Sequence, residues 1–526
     1  MGKLHLDPQL VRACFEDAAA VARPVLEFAR RRSTVSIERA VLRLLGLSGA
    51  DATEVPFVNA VVDRLRDGGL LEDGVAAHVG RVAVRGKLTL REALDGLAAG
   101  RLEFGPFASG AEEGEARRWI EAECERRWRE IGAGHAERDA RRRRLGEREG
   151  ALAYVLTATG DVYEDVRHAE AVAEHGGDVV AVIRSTAQSL LDYVPFGPTR
   201  EGYGGTFATQ ENFRIMRAAL DRWSDANGRY VRLSSFSSGL CMPEIAAAGA
   251  LERLDNMVND ALYGILYRDI NMERTLVDQA FSRLVNGASG IVINTGEDNY
   301  LRTADALEAA PSVVVSQLVN HAMARGCGLP DRLVAVGNAF EVAPEVENGL
   351  LYEWAHAQLT RELFPDCPVK YMPPTRFMDG NLFRTHACDT LFNLVTVATR
   401  QGIQTIGSPT EGIFTPHIHD RVLALESVNY VRTAAKGLYD EIEFAPGGVI
   451  RSRAAETLGR AAATLRAVRD DPDGLFGAIA SGLFGDVRRA RDGGKGREGV
   501  FLRGERYVNP FEQVLARALG PEAGGP

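Results

Sequence analysis

Lysine is nearly absent from this chain of 526 residues, because only five of its 62 basic residues are lysines and the others are arginines. Cysteine is also scarce: the six cysteines are scattered along the chain and form no CxxC pair. We therefore expect reduced thiols in a cytoplasmic protein rather than a disulfide framework.

Long apolar runs and an excess of positive charge are missing as well. No stretch approaches the roughly 18 uninterrupted apolar residues of a membrane span, and the first residues lack the apolar segment of a secretory signal. The formal net charge of -10 argues against a nucleic-acid-binding surface. With 45% hydrophobic and 25% charged residues, the composition is typical of a globular protein.

Residues 1–150 show helical spacing of apolar side chains, which predicts an N-terminal helical accessory domain. In STVSIERAVLRLLGL, Ser33 or Thr34 can begin a helix and Gly46 can end it. TLREALDGLAAG has the same pattern of a capped start and a glycine stop. The segment 111–149 contains the run RRRR, but acidic residues are interspersed, so an exposed helix with Glu–Arg pairs is favoured over a nucleic-acid site.

From residue 151 the pattern changes to short apolar runs that alternate with amphipathic segments. Eight runs are predicted strands: LAYVLTATG (152–160), DVVAVIRS (178–185), YVRLSS (230–235), YGILYRD (263–269), GIVINTG (290–296), RLVAVGN (332–338), VKYMPP (369–374) and IQTIGSP (403–409). Eight strand–helix alternations predict an α/β fold, a closed (β/α)8 TIM barrel over residues 151–440. A doubly wound open sheet is the alternative, but no GxGxxG follows the first strand. Helical spacing returns over 441–526, which predicts a C-terminal helical extension.

Polar residues gather where the predicted strands end, and active sites of TIM barrels lie at that end. They include Arg184 and Ser189 after the second strand, Ser238 after the third, Tyr263 and Arg268 in the fourth, Asp298 after the fifth, Lys370 in the seventh and Glu411 after the eighth. An arginine with nearby hydroxyls can hold a phosphate, and a tyrosine offers a flat face to an aromatic ring. Asp298 and Lys370 carry the opposite charges that a zwitterionic amino acid would need.

Other catalytic signatures are weak or missing. PHIHD, residues 416–420, places His417 and His419 two residues apart, but no third metal ligand stands at a diagnostic spacing. We therefore favour a loop or a helix start there over a metal site. No P-loop, nucleophile elbow or cysteine–histidine signature occurs.

Long motifs resemble one known family. They are ATGDVYEDV, AVIRSTAQSLLDYVPFG, GYGGTFATQENFR, SSGLCMPEIAAAGALERLD, NDALYGILYRDINMERTLVDQAFSR, IVINTGEDNYLRTADA, VKYMPPTRFMDGN and RDGGKGREGV. Together they resemble the alpha (large) subunit family of lysine 5,6-aminomutase, also called D-lysine 5,6-aminomutase. The resemblance covers nearly the whole chain and is weakest over 100–150 and 450–485.

The resemblance implies an isomerase that depends on pyridoxal 5'-phosphate and adenosylcobalamin. Such enzymes act in lysine degradation, where a radical 1,2-migration moves the terminal amino group of D-lysine or L-β-lysine from C6 to C5. The products are 2,5- and 3,5-diaminohexanoate. The cofactors carry the radical chemistry, while the protein supplies position and excludes water.

The resemblance also implies cofactor-binding roles at matching positions. Arg184 and Ser189 would contact the phosphate, and Ser238 would face the pyridine nitrogen. A hydroxyl there, instead of a carboxylate, leaves the ring a weaker electron sink, which suits a radical better than a carbanion. Tyr263 would stack on the ring, and Arg268 would lie close to the cofactor or the substrate.

The remaining roles that the resemblance implies concern the substrate. Asp298 and Lys370 would hold its distant ammonium and its carboxylate, and Glu411 would contact the adenosyl group. Lys370 would thus be functional without forming a Schiff base. A tight site that favours a compact ammonium is our hypothesis for a lysine at this position in an arginine-rich chain.

A second chain is also implied, because the sequence contains no DxHxxG cobalamin-binding signature. In the family, a smaller beta subunit carries that signature and the Schiff-base lysine, in an assembly of two alpha and two beta subunits. The alternatives are a D-ornithine 4,5-aminomutase-like subunit, whose large chain carries both barrel and cobalamin domain, and a non-catalytic barrel that binds pyridoxal phosphate.

Overall fold

Short apolar segments form a closed barrel of parallel strands in the computed structural model, which describes residues 2–105, 109–182, 188–296, 306–338, 342–373 and 375–520. The strands are β1 (Arg32–Thr34), β2 (Leu152–Leu156), β3 (Val179–Ala181), β4 (Arg232–Phe236), β5 (Asn256–Val258), β6 (Val292–Thr295), β7 (Val334–Asn338), β8 (Lys370–Tyr371), β9 (Ile403–Thr405) and β10 (Val500–Leu502). Strands β2 to β9 pair in chain order, and β9 closes the barrel on β2. The predicted TIM barrel is therefore confirmed.

Helices connect the barrel strands and extend from both ends of the chain. They are α1 (Pro8–Arg30), α2 (Val35–Leu45), α3 (Phe57–Asp67), α4 (Val75–Gly86), α5 (Leu90–Ala98), α6 (Gly110–Leu145), α7 (Val162–Glu174), α8 (Gln210–Asn227), α9 (Met242–Leu251), α10 (Ala261–Arg268), α11 (Met272–Ala288), α12 (Ala306–Gly326), α13 (Gly349–Leu363), α14 (Leu382–Ala398), α15 (Ile418–Ala434), α16 (Leu438–Glu441), α17 (Val449–Asp470), α18 (Gly474–Ser481) and α19 (Pro510–Leu519). None of these described helices is long and apolar enough to cross a membrane.

The prediction of the fourth barrel strand was wrong. The segment 263–269 lies mostly in helix α10, and the strand is the three-residue β5 just before it. The carboxylate of Asp260 accepts a hydrogen bond from the Leu262 backbone N–H at 3.0 Å, which caps the helix and fixes its start. The apolar run therefore follows a helical period, with Ile265 buried and Tyr263 half-buried.

Strand residues alternate between the inside of the barrel and the surrounding helices. Ala153 and Val155 pack outward with helix residues, whereas Leu152, Tyr154 and Val179 belong to a separate cluster inside the barrel. Residues at the starts of several strands dominate that inner cluster. The amino-terminal end of the barrel is therefore filled with apolar side chains, and the polar interior lies nearer the carboxyl end.

The N-terminal helices begin and end where their sequence signals predict. Thr34 caps α2 through a hydrogen bond from the Ile37 N–H at 3.1 Å, and Gly46 ends it with a φ of 107°. The charged helix α6 buries a stripe of small and apolar side chains that includes Ile120 and Trp128. Its arginine run forms ion pairs, such as Arg141 with Asp221, Asp225 and Glu137, so the charged face is structural.

Both ends of the chain pack on the outer helices of the barrel. Helix α1 lies against α12 and α17, helix α2 lies against α9, and α19 lies against α11. Strands β1 and β10 pair antiparallel, with Ser33 opposite Phe501. The division into 1–150, 151–440 and 441–526 stays a prediction.

Candidate functional site

The loops that follow β3 and β4 meet through their backbones at the carboxyl end of the barrel. Ser189 is buried, and its carbonyl oxygen accepts a hydrogen bond from the Leu240 N–H at 3.1 Å. A Cβ atom placed on Gly239 would lie 2.6 Å from the Ser189 Cα. Only glycine therefore allows this approach, which sets Ser189 beside the loop that carries Ser238.

Ser238 connects that loop to the start of α10. Its buried Oγ accepts a hydrogen bond from the Asp260 N–H at 2.7 Å. The carboxylate of Asp260 in turn accepts from the Gly296 N–H at 2.5 Å, just after β6. Asp260 thus fixes three neighbouring loop segments. Sequence analysis missed this residue, although an aspartate directly before a run of helix-forming apolar residues is a recognisable cap signal.

Tyr263 and Arg268 lie on α10 and form an aromatic and cationic surface. The Tyr263 ring stacks on Tyr267, with centroids 5.1 Å apart and planes at 23°, and meets Phe236 edge-on at 4.8 Å. A guanidinium nitrogen of Arg268 donates to the Tyr263 hydroxyl at 3.1 Å. The Arg268 Nε is buried and has no hydrogen-bond partner within the described part of the chain.

Lys370 points into the barrel from β8 and is 3% exposed. Its Nζ donates to the Asn294 Oδ1 at 2.6 Å and lies 4.6 Å from the centroid of the Tyr154 ring. The Asn294 Nδ2 donates to the Ala335 carbonyl at 3.1 Å, which fixes the orientation of the amide. The Tyr154 hydroxyl accepts from Ser234 at 3.1 Å. Sequence analysis did not identify Tyr154 or the part played by Asn294.

The predicted site residues differ in how far the structure describes them. The structure brings four of them together: Ser189 and Ser238 lie on contacting loops after β3 and β4, while Tyr263 and Arg268 lie on α10, whose cap Asp260 is bonded to Ser238. Glu411 is nearly buried in the loop after β9, where its N–H donates to the Ser408 carbonyl at 3.0 Å. Arg184 and Asp298 lie outside the described residues. The roles of all these side chains stay predictions.

One group of described side chains has the spacing of a metal site, at the amino-terminal end of the barrel. Ligand atoms of His321, Asp331 and Cys367 lie within 4.8 Å of one another. Burial raises the pKa of the Cys367 thiol to about 12, and the Nε of Arg325 lies 3.7 Å from the Asp331 carboxylate. A protonated thiol and a paired carboxylate make a poor cation site. His417 begins α15 as its capping residue, as the helix-start interpretation predicts.

The described residues fit pyridoxal phosphate. Arg268 offers a cationic guanidinium whose buried Nε lacks a described partner, and an anionic ligand would satisfy it. Tyr263 supplies an aromatic surface beside it. Because the Ser238 Oγ already accepts from a backbone N–H, its hydroxyl hydrogen can serve an acceptor such as a pyridine nitrogen.

The sequence matches a family model described as "D-Lysine 5,6-aminomutase TIM-barrel domain of alpha subunit" over residues 4–514. The chain is 46% identical over 513 residues to the lysine 5,6-aminomutase alpha subunit of Acetoanaerobium sticklandii, covering 98% of both chains. It is 48% identical over 525 residues to the protein of that name from Fusobacterium nucleatum, covering 98% of this chain and 99% of that one.

A more distant relative is the D-ornithine 4,5-aminomutase subunit beta of Acetoanaerobium sticklandii. Identity to it is 28% over 366 residues, which cover 67% of this chain and 49% of that protein. The two lysine 5,6-aminomutase alpha subunits are more similar and match over 98% and 99% of their length. The chain belongs to the family of the lysine 5,6-aminomutase alpha subunit.

Proposed function

We propose that this chain is the alpha subunit of a lysine 5,6-aminomutase, an isomerase that moves the terminal amino group of D-lysine or L-β-lysine from C6 to C5. Identity of 46% to 48% over almost the full length of two proteins of that name carries the proposal. The carboxyl end of the barrel supports it, because that end brings together hydroxyl, aromatic and cationic groups. The bound cofactors would supply amine activation by the pyridoxal aldehyde and radical initiation by the cobalt–carbon bond.

Residues of this chain would hold pyridoxal phosphate at the loops after β3, β4 and β5. Arg184 and Ser189 would bind the phosphate, and Ser238 would donate its hydroxyl to the pyridine nitrogen. Tyr263 would pack on the ring, with Arg268 beside it. The contact between Ser189 and Gly239 supports this assignment, because it holds the two serine-bearing loops in a fixed relation before any ligand binds.

Lys370 and Asp298 would bind the two charged ends of the amino acid. Lys370 supports this role because its ammonium is nearly buried in the barrel, against an amide oxygen and an aromatic ring. A carboxylate bound there would be shielded from water, which strengthens the attraction between opposite charges. Glu411 would contact the adenosyl group from the loop after β9.

A beta subunit would provide the DxHxxG cobalamin domain and the Schiff-base lysine, in an assembly of two alpha and two beta subunits. Large apolar side chains are exposed on loops and helix starts at the carboxyl end of the barrel, and they support a partner at this face. They include Tyr163, Leu190, Tyr193, Phe196, Tyr203, Ile413 and Phe414. Exposed apolar surface of this kind marks protein–protein contacts.

A cytoplasmic location is part of the same proposal. All six cysteines are free thiols in the structure, and five of them are buried. Reduced cysteines are the normal state in a reducing compartment.

The proposal is tested by assaying this chain together with its beta partner, pyridoxal phosphate and adenosylcobalamin. We expect conversion of D-lysine or L-β-lysine to the diaminohexanoate product, detected by mass spectrometry, and slower or no turnover of D-ornithine. Failure of both lysine isomers to react would refute it. Borohydride reduction of the isolated chain with pyridoxal phosphate should leave Lys370 unmodified, and a covalent adduct there would contradict its assigned role.

A further inference from the structure

A cavity of about 510 Å³ lies between helices α14 and α15, outside the barrel and beside the loop that follows β9. Most of its lining is apolar or aromatic: Leu382, Phe383, Pro409, Leu423, Ala424 and Tyr430. Leu382 is 52% exposed, Phe383 is 91% exposed and Tyr430 is 71% exposed, so the cavity is open to solvent at its rim. This volume suits a small organic ligand.

Two buried polar side chains of α14 line this cavity. Asp389 and Thr385 are each 2% exposed. The Asp389 Oδ1 and the Thr385 Oγ1 have no hydrogen-bond partner among the residues that the structure describes. The other Asp389 oxygen accepts from the Asn393 Nδ2 at 3.4 Å, and the Gly407 backbone N–H also interacts with this carboxyl, which lowers its pKa against the rise caused by burial. Buried polar atoms without partners are unfavourable unless a ligand or water satisfies them.

The charge around this cavity is negative once Asp389 is ionised. Asp389 and Glu426 are the acidic residues of the lining, and no described arginine or lysine belongs to it. A cation is therefore the kind of group that this lining attracts. Apolar and aromatic walls beside a carboxylate favour a ligand whose charged head is attached to a flat apolar body.

We propose that this cavity binds a small organic cation, an amidinium or ammonium group on an apolar body, whose N–H groups donate to Asp389 Oδ1 and Thr385 Oγ1. Apolar contacts with Leu423 and Tyr430 hold the body of the ligand. The proposal does not depend on the proposed function, because no lining residue is assigned to pyridoxal phosphate or to the lysine substrate.

The ionisation of Asp389 supports this proposal. Burial raises the pKa of its carboxyl to about 8. The other titratable side chains of the lining are His386 on α14, and Glu426 and Tyr430 on α15; the loop 407–409 contributes none. A bound cation favours the carboxylate, so its affinity should increase as the pH rises from 6 to above 8, and binding at pH 7 should release a proton.

Benzamidine and benzamide test the proposal, because they have nearly the same shape and only benzamidine is charged. We expect calorimetry on the full-length chain at pH 8.5 to show benzamidine binding at least tenfold more tightly than benzamide. Asp389→Asn should remove this difference, and Thr385→Val should reduce it. Glu426→Gln, at the exposed rim, should preserve most of the difference in affinity between benzamidine and benzamide.

A second variant separates the effect of charge from loss of folding. Leu423→Trp fills the cavity and leaves Asp389 in place, so it should weaken binding of both compounds while circular dichroism stays unchanged. Equal affinity for benzamidine and benzamide in the unmodified chain would overturn the proposal. Benzamidine binding that neither Asp389→Asn nor Leu423→Trp changes would also overturn it, because the site would then lie elsewhere.

Discussion

Lys370 places its ammonium against a neutral amide and an aromatic ring inside the barrel, and both groups stabilise a positive charge. A guanidinium is larger and forked, and its five N–H groups would need more acceptors in the same space. This geometry supports the hypothesis that a compact cation is required at position 370. If Lys370 binds the substrate carboxylate as proposed, Asn294 is its positioning residue, because the Asn294 amide is itself fixed by the Ala335 carbonyl.

Replacing Asn294 by leucine should therefore impair substrate binding. A hydrogen bond to a charged group contributes about 1.5–3 kcal/mol, so we expect kcat/KM for lysine to fall by at least about tenfold, mainly through KM. Steady-state kinetics on the complex measure this change. Asn286→Leu is the matched control, because Asn286 is also a buried asparagine but lies on α11, outside the barrel. Equal effects of the two substitutions would contradict the positioning role.

The surroundings of Lys370 are not readable from the sequence. Its contacts to Asn294 and Tyr154 join strands that are far apart in the chain and lie on different sides of one barrel. Which side chains meet there depends on strand stagger, and local patterns do not encode it. The polar character of the strand ends, by contrast, is visible in the sequence.

At the scale of single elements, the short strand β5 and the following helix α10 show where local patterns fail. Strand β5 offers only two apolar residues, Met257 and Val258, between polar neighbours, so it gives no apolar run to recognise. The longer run YGILYRD fits a strand or a helix. The cap at Asp260 decides between them. The other barrel strands have apolar runs of their own, which is why seven of the eight predicted segments contain or overlap a strand.

The close approach of the loops after β3 and β4 gives a test at the same scale. Gly239→Ala would place a Cβ 2.6 Å from the Ser189 Cα, a backbone atom that cannot move aside by side-chain rotation. We expect the loops to separate and the affinity of the complex for pyridoxal phosphate to fall at least about tenfold, a loss of about 1.4 kcal/mol, measured by absorbance titration.

Gly459→Ala, in helix α17, is the matched control for this substitution. Its added Cβ meets no atom within 4 Å, so we expect stability to rise by about 0.5–1 kcal/mol and cofactor affinity to stay unchanged. If Gly239→Ala also left cofactor affinity unchanged, the contact between the two loops would not be needed to hold pyridoxal phosphate.

Helix α6 contacts an outer helix of the barrel through the buried His135, whose protonation changes the stability of the fold. The His135 Nε2 is 2.8 Å from the Ala250 carbonyl oxygen, and burial lowers the pKa of the ring to about 4. In the unfolded chain the imidazole binds a proton below about pH 6.5, whereas in the folded protein it does so only near pH 4. The contribution of His135 to the free energy of unfolding is therefore complete above about pH 6.5 and is lost as the pH falls from there towards 4.

The pH dependence of unfolding checks this contact. Between pH 7.5 and pH 5, His135 should account for about 2 kcal/mol of the loss in the free energy of unfolding. His135→Gln retains an N–H donor but does not titrate, so its stability should fall less over the same interval. Urea denaturation at both pH values measures the difference, and an identical loss in the variant would contradict the assignment.

At the scale of the whole molecule, apolar side chains are exposed at the carboxyl face, the same face that holds the candidate site. This placement would let a partner cover the site and exclude water from it. The motifs quoted from the sequence identify the family along nearly the whole chain, but they do not mark this surface. Exposure depends on the assembled fold, so a single sequence does not reveal which apolar residues remain uncovered.

Substitutions at this face should weaken assembly with the beta subunit. Tyr203 is 85% exposed on the loop after β3, and Tyr203→Asp would place a charge in the proposed contact. We expect the dissociation constant of the complex to increase at least about tenfold by analytical ultracentrifugation. Leu502→Asp is the control, since Leu502 is 59% exposed on β10, away from the barrel strands. Equal weakening by both changes would argue against a contact at this face.

The antiparallel pair of β1 and β10 has a consequence for biosynthesis. Arg32–Thr34 pairs with Val500–Leu502, so this ribbon cannot form until the chain has been synthesised past residue 502. At about 5–20 residues per second, the interval is roughly half a minute to a minute and a half. During translation, strand β1 therefore stays without β10 for that interval, and chaperones that shield nascent apolar segments have that long to act on it.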